Sequence, residues 1–303
     1  MKPPKPYTAR PATPDDASAA AGLMNAVDRA YLEDPDEMST IEVTEWWARL
    51  DRERDTLIFE DGDGTPVAVG TLDGRQDDAL DLDGYIHPAH LGRGLGTSLL
   101  DWLEEEAVAR GRPIARVSTL AADRAAVPLF SSRGFAPIRH FYRMLIDLDG
   151  PPPPPELPAG LELSLFRPGD EAALHATLEE AFADHWGHQP ESLDDWRQRV
   201  LGRDWWDPSL VYLVREGDEV AAACVNAIRF GIGWVGILGT RALWRGRGLG
   251  RALLLAAFAE LYRRGEHRVG LAVDAGNETG ATHLYESVGM RIAWQADIHE
   301  KRR

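Results

Sequence analysis

The chain has 303 residues, too many for one ordinary domain and enough for two of about 150 residues each, either of which buries a core unaided. A single cysteine, Cys224, excludes internal disulfides and cysteine-based zinc clusters. With 33 basic and 49 acidic residues the net charge is −16, which argues against nucleic-acid binding and favours attraction of cations, amines among them. No apolar run reaches the length of a membrane span, and the N-terminal MKPPKPYTARPATPDD lacks the apolar region of a secretory signal. The expectation is a cytoplasmic protein without membrane contact, monomeric or homodimeric.

Taken in chain order, the elements repeat. A short strand ends at Arg10-Pro11, a helical region with an acidic start follows at Asp15-Asp16, and strands are predicted over 56–60, 67–72 and 80–86. LGRGLGTSLL (91–100) opens an amphipathic helix carrying Leu99, Leu103 and Ala107, and a strand (114–119), a short helix and a last strand close the copy. Five prolines, Pro151 to Pro155, form a stiff spacer. Then the order recurs: Arg167-Pro168, the acidic start Asp170-Glu171, strands over 210–215, 220–228 and 234–240, RGRGLGRALL (245–254) opening a helix with Leu254, Phe258 and Leu261, a strand over 268–273, and LYESVGM (284–290) against LFSSRGF (129–135). Matches in one order at nearly one offset mean one domain written twice. The expected boundaries are 1–150, a linker over 151–160, and 161–303, each copy a mixed α/β domain.

Arg245-Gly246-Arg247-Gly248-Leu249-Gly250 joins a strand to a helix start. Alternate glycines let successive N–H groups converge beside the positive end of the helix dipole, an anion site suited to a pyrophosphate; a tight turn that only packs helix on strand is the bland alternative. No Gly-Lys-Ser/Thr follows, so this is not a P-loop, and Arg251 stands where a dinucleotide fingerprint needs glycine.

Arg245, Gly248 and Gly250, followed about 30 residues later by Asn277, Ala281, Leu284, Tyr285 and Gly289, resemble motifs A and B of the GNAT superfamily of acetyl-CoA-dependent N-acetyltransferases, and the tandem arrangement looks like that of mycothiol synthases and their relatives. The resemblance implies two tandem GNAT-fold domains of α/β class (α+β, mixed sheet). Each would have a central, mostly antiparallel sheet with one splayed parallel strand pair, flanked by helices. It implies acetyl-CoA as cofactor, its pyrophosphate on Gly246 to Gly250, and a thioester carbonyl polarised by a backbone N–H around Leu238, Gly239 and Thr240. Asn277 would contact the cofactor, and Tyr285 would donate a proton to the departing thiolate. A buried core aromatic is the plain alternative for Tyr285. The acceptor would be the primary amine of a small molecule or peptide, attacking directly in a ternary complex. A non-catalytic acyl-CoA-binding protein on the same fold is the rival, and a mycothiol synthase the narrower reading.

An alkyl amine is almost wholly protonated at neutral pH, so the acceptor needs a base. Mycothiol synthases carry a glutamate near the acceptor on the strand before motif A; here Trp234 stands at that place. The nearest candidates are Asp184 and His185, with Trp186 as a pocket wall and Asp274 as a weaker alternative; capping and solvation are equally open for Asp184 and the histidines. The first copy departs where it matters: Leu91 for the Gln/Arg of motif A, Ala122 for the asparagine and Phe130 for the tyrosine. It is a degenerate domain whose Gly92, Arg93, Gly94, Leu95 and Gly96 either form a second cofactor site or serve as scaffold. The alternation of Leu80 and Leu82 with Asp81 and Asp83 reads as an apolar face opposite a solvated one.

Overall fold

The computed structural model describes residues 1–203, 205–276 and 280–303. The chain divides into two compact units, Met1–Phe141 with Trp294–Arg303, and Tyr142–Ala293.

The first copy runs β1 (Thr8–Arg10), α1 (Ala17–Tyr31), α2 (Thr40–Trp47), α3 (Arg52–Asp55), β2 (Thr56–Glu60), β3 (Pro66–Asp73), β4 (Ala79–Ile86), α4 (Leu95–Ala109), β5 (Ile114–Leu120), α5 (Ala126–Ser132) and β6 (Ala136–Asp147). The second runs β7 (Glu162–Leu165), α6 (Glu171–Phe182), α7 (Leu193–Val200), β8 (Val211–Glu216), β9 (Glu219–Arg229), β10 (Ile232–Thr240), α8 (Leu249–Arg263), β11 (Arg268–Asp274), α9 (Ala281–Ser287) and β12 (Arg291–Arg302). Strand β7 stops at Leu165, short of the Arg167-Pro168 pair where the sequence places its end.

The strand order is β1-β2-β3-β4-β5-β12 in the first unit and β6-β11-β10-β9-β8-β7 in the second. In the first unit the neighbours are antiparallel except β4 with β5; in the second, β10 with β11 is parallel and β7 to β10 are antiparallel. The compact units therefore depart from the boundaries read from the sequence. Residues from Trp294 onward pair with β5 in a ladder from Ala296↔Leu120 to Arg302↔Ile114, so the end of the chain completes the first unit's sheet. The polyproline stretch 151–155 carries no helix or strand and falls inside the second unit.

Helices cover both faces of each sheet, as the apolar spacing dictates. In the first unit Leu95, Leu99, Leu103 and Ala107 of α4 are buried with Leu80, Leu82 and Val117, while Ala17, Ala20, Ala21 and Met24 of α1 pack on Ile58 and Val69. In the second, Leu254, Phe258 and Leu261 of α8 are fully enclosed on one face, and α6 and α7 bury Leu174, Leu178 and Trp196 against Val211, Leu213 and Val225 on the other. The two-sided cover corrects the reading of Asp81 and Asp83 as a fully solvated face: both are only partly exposed. They lie on the face that α1 packs against; the pattern of alternation is right, but the polar side is roofed by a helix.

Candidate active site

The second unit opens a cleft because its parallel pair separates early. Strand β10 pairs with β11 only at Gly233↔Val269 and Trp234↔Gly270. Between Val235 and Ile237 the register of β10 against β9 shifts, a bulge centred on Gly236, and pairing with β9 then resumes from Ile237 through Thr240. Alternate N–H and C=O groups of the segment 237–240 thus lie on the edge that β11 has left, available to a ligand. Leu238, Gly239 and Thr240 all stand on this segment. A side chain on Gly239 would meet the Ala181 Cβ at 2.9 Å, so the end of α6 sits directly on the strand.

The Gly-rich turn follows. Gly246 and Gly248 have φ of +74° and +81°, conformations that only glycine adopts without strain. An added Cβ at either would meet nothing within 4 Å, so the backbone is open to a ligand. Gly248 caps the fifteen-residue helix α8 without any side-chain hydrogen bond, so among the described residues no side chain caps the first N–H groups of the helix. Gly250 serves packing: its Cβ would come within 2.8 Å of Leu284 on α9. The glycines thus differ in what they do: Gly246 and Gly248 leave the backbone open, and Gly250 packs helix on helix. Leu249 is buried in the core, while Arg247 is half exposed, 3.9 Å from Glu216.

Arg245 braces the turn. Its Nε donates to the Thr240 carbonyl and its Nη2 to the Ala181 carbonyl, each at 3.2 Å, tying the turn to the ends of β10 and α6. Glu180, which no motif marks, does the same from α6: it accepts from the Arg241 guanidinium at 2.6 Å and from the Ala242 N–H at 3.2 Å.

Tyr285 is 8% exposed, in the core cluster that includes Cys224, Leu249 and Met290. It makes no hydrogen bond among the described residues. Burial, with the nearby Cys224, pushes its phenol well above the ordinary tyrosine range, so it stays protonated. Cys224 itself is enclosed and pushed up to about 12 by burial, an inert thiol as its apolar strand predicts. Asn277 lies outside the described residues.

His185 is brought to this place by the turn that ends α6, its N–H donating to the Phe182 carbonyl and its ring 4.4 Å from the Phe182 ring. Burial lowers its pKa, Arg245 and His188 lower it further, and Asp274 and Asp184 oppose the shift. A histidine neutral at physiological pH thus lies within electrostatic reach of the arginine of the turn and the carboxylate at the end of β11. Asp184 is exposed, and His188 lies 3.4 Å from Glu179. Trp234 is half-buried on β10. The guanidinium of Arg143, from β6, lies 3.8 Å from its ring centroid, and Phe230 meets it edge-on at 5.2 Å. Arg143 carries no motif signal, and only the tertiary fold puts it there.

In the first unit Gly92 and Gly94 have φ of +72° and +86°, and a Cβ on Gly96 would touch Leu129 at 3.0 Å, so the second turn repeats the geometry of the first. Arg93 leans on the Tyr7 hydroxyl at 3.4 Å, and Leu95 is buried in the core. Here the parallel pair holds longer, from Ala79↔Ile114 to Leu82↔Val117, and β3 and β4 pair without a bulge. Leu91, at the place of Arg245, is an exposed apolar side chain, and Phe130 is buried with its ring 5.2 Å from that of His299. The described residues contain no group of three or more metal-binding side chains placed to hold an ion, and no helix long and apolar enough to cross a membrane.

The acetyltransferase (GNAT) family profile matches residues 21–135 and 172–290. A mycothiol acetyltransferase of Thermobispora bispora is 37% identical over 225 residues, covering 72% of this chain and 74% of its own. One of Kineococcus radiotolerans is 35% identical over 251 residues, 80% of this chain and 78% of its own. Among solved structures, a GCN5-related N-acetyltransferase from Sphaerobacter thermophilus superposes with a TM-score of 0.88 at 35% identity, over 99% of this chain and 97% of that one. A tandem GNAT protein from the clavulanic acid biosynthesis pathway shares the fold alone, with a TM-score of 0.74 at 17% identity over 98% of each chain. With both copies matched and relatives above 30% identity over most of its length, the chain belongs to the GNAT acetyltransferase family, an acetyl-transferring enzyme built as two GNAT domains in tandem.

Proposed function

We propose that the chain is an N-acetyltransferase in which the second copy carries the chemistry, with acetyl-CoA as cofactor and a primary amine as acceptor. The observation that carries this reading is the bulged, splayed end of β10 running into the open Gly246–Gly248 turn, with the neutral His185 within electrostatic reach of Arg245 in that turn. The cradle fits the cofactor: the backbone at Gly246 and Gly248 is open, and the N–H groups at the start of α8 suit a pyrophosphate.

When bound, the cofactor supplies an activated acetyl thioester. The N–H groups of the segment 237–240 on the cleft side are donors fixed in advance where negative charge develops on the carbonyl oxygen, and they need no reorganisation as it forms. His185, neutral and within electrostatic reach of Arg245, accepts the proton of the incoming ammonium, directly or through water. Tyr285 donates to the thiolate leaving group. Because its acidity is lowered by burial and a thiol is acidic near pH 8.5, the phenol acts chiefly as a hydrogen-bond donor.

The narrower reading, the acceptor of the mycothiol acetyltransferases, is favoured by identity to those relatives. Trp234 beneath Arg143, at the place where a glutamate is expected, separates this chain from them.

Thiol release from acetyl-CoA across a panel of primary amines, polyamines and amino sugars tests the reading. Turnover with at least one amine is expected, and Tyr285→Phe is expected to lower kcat about 10- to 100-fold, at or below the usual range for general acids. Tight acetyl-CoA binding without turnover on any amine, and no effect of the substitution, favours the non-catalytic rival.

A further inference from the structure

Strands β3 and β4 of the first unit carry an acidic group that the acetyl-transfer reading leaves unused. Across the antiparallel ladder Thr71 stands opposite Asp83 and Asp73 opposite Asp81, so all four share one face. Val69, on the same face, packs against α1, and Asp28 lies one turn beyond the buried Met24 of that helix. Ser118 on β5 donates to Asp83. Tyr85 is flanked by both Asp83 and Asp28, which, after burial, hold its phenol far above its usual range.

Two guanidinium groups, of Arg75 and Arg116, border these carboxylates. Arg75 is tied to Asp73 at 2.6 Å and Arg116 to Glu300 at 2.9 Å, the latter approaching Asp81 only to 3.7 Å. Two enclosed oxygens, Asp81 Oδ1 and Thr71 Oγ1, have no hydrogen-bond partner among the described residues, and Thr71 is only 2% exposed. Leaving such atoms without a hydrogen bond is unfavourable. Burial raises Asp28 and Asp81 to about 6, and raises Asp83 as well. The second copy shows the cheaper alternative: at an offset of 154 it has Val225, Val235 and Ile237 in place of Thr71, Asp81 and Asp83 and packs them as core.

We infer that the first unit holds an organic ammonium group on this face of β3 and β4, seated on Asp81, Asp83 and Thr71. An ammonium has three donors, and the wall offers three acceptors: Asp81 Oδ1, the Asp83 carboxylate and Thr71 Oγ1. The Asp81 side chain, 37% exposed, opens the way to solvent. A metal ion fits less well, since no three carboxylates converge on one point among the described residues. The site is independent of acetyl transfer in the second copy.

Titration calorimetry on the whole chain tests this, with putrescine as probe and Mg²⁺ alongside. Putrescine is expected to bind wild-type and Tyr285→Phe protein alike, and at least 10-fold more weakly to Asp83→Asn. Thr71→Val, close in shape and unchanged in charge, is expected to weaken binding about 3- to 10-fold, the worth of one hydrogen bond, and serves if Asp83→Asn does not fold. No putrescine binding at millimolar concentration, equal binding by wild type and both variants, or Mg²⁺ binding that the same substitutions abolish each overturns the proposal.

Discussion

His185 shows how much of a side chain's chemistry is set by its surroundings. Free histidine titrates near 6.5; here burial, Arg245 and His188 move it lower, so it is a base at neutral pH without needing to lose a proton first. In the unfolded chain the same ring protonates at about its free value, so the unfolded state binds more protons. The contribution of this group to stability is therefore complete at neutral pH and is lost as pH falls from that value through the lower folded one. For activity the sign is the same. The kcat/KM profile of the wild type is expected to stay flat down to a pH below 6.5 on account of this residue, and His185→Ala is expected to remove that acidic limb and lower the plateau. An unaltered profile in the variant assigns the base elsewhere, with Asp274 next in place. The motif alone did not mark His185; it was legible only as part of a polar run after a helix. Arg143 and Glu180 were not legible at all, because nothing in a sequence distinguishes an arginine over a tryptophan ring from one in water.

At the scale of elements, the Gly-rich turns were the clearest signal, and the structure separates their parts. Gly248 is there for its φ of +81° and Gly250 for the 2.8 Å approach of Leu284. Gly248→Ala meets no neighbour and is strained only by its backbone, so it is expected to cost about 1–2 kcal/mol in unfolding and to weaken acetyl-CoA binding. Gly94→Ala, with the same geometry in the first unit, is expected to cost a similar amount with no loss of turnover. Chemical denaturation with paired binding measurements checks both. Elements with strong apolar periodicity, such as α4 and α8, fall where the spacing puts them. The bulge at Gly236 was not visible, since a one-residue shift in pairing depends on the partner strand. Asp81 and Asp83 were misread for a related reason. Alternation tells which residues share a face but not whether a helix covers it.

For the whole molecule, the last strand matters most. Residues 294–302 run along β5, from Ala296↔Leu120 to Arg302↔Ile114, and Glu300 forms a buried pair with Arg116 at 2.9 Å. A chain ending at Ala293 is expected to lose amide protection over Ile114–Leu120 and to unfold its first unit more readily, while the second unit keeps its protection, as read by hydrogen exchange. Loss of protection confined to the second unit contradicts the assignment. The repeat, the order of elements, the Gly-rich turn and the family were legible in the sequence, because these rest on local spacing and on residues a few positions apart. The −16 charge looked like a general attraction for amines; the structure concentrates part of it beside one face of β3 and β4, where carboxylates far apart along the chain, Asp28 and Asp83, both act on Tyr85. Which unit the final strand completes, what lies over Trp234, and which carboxylates share a roof were decided only by tertiary structure, since each depends on contacts between residues distant in the chain.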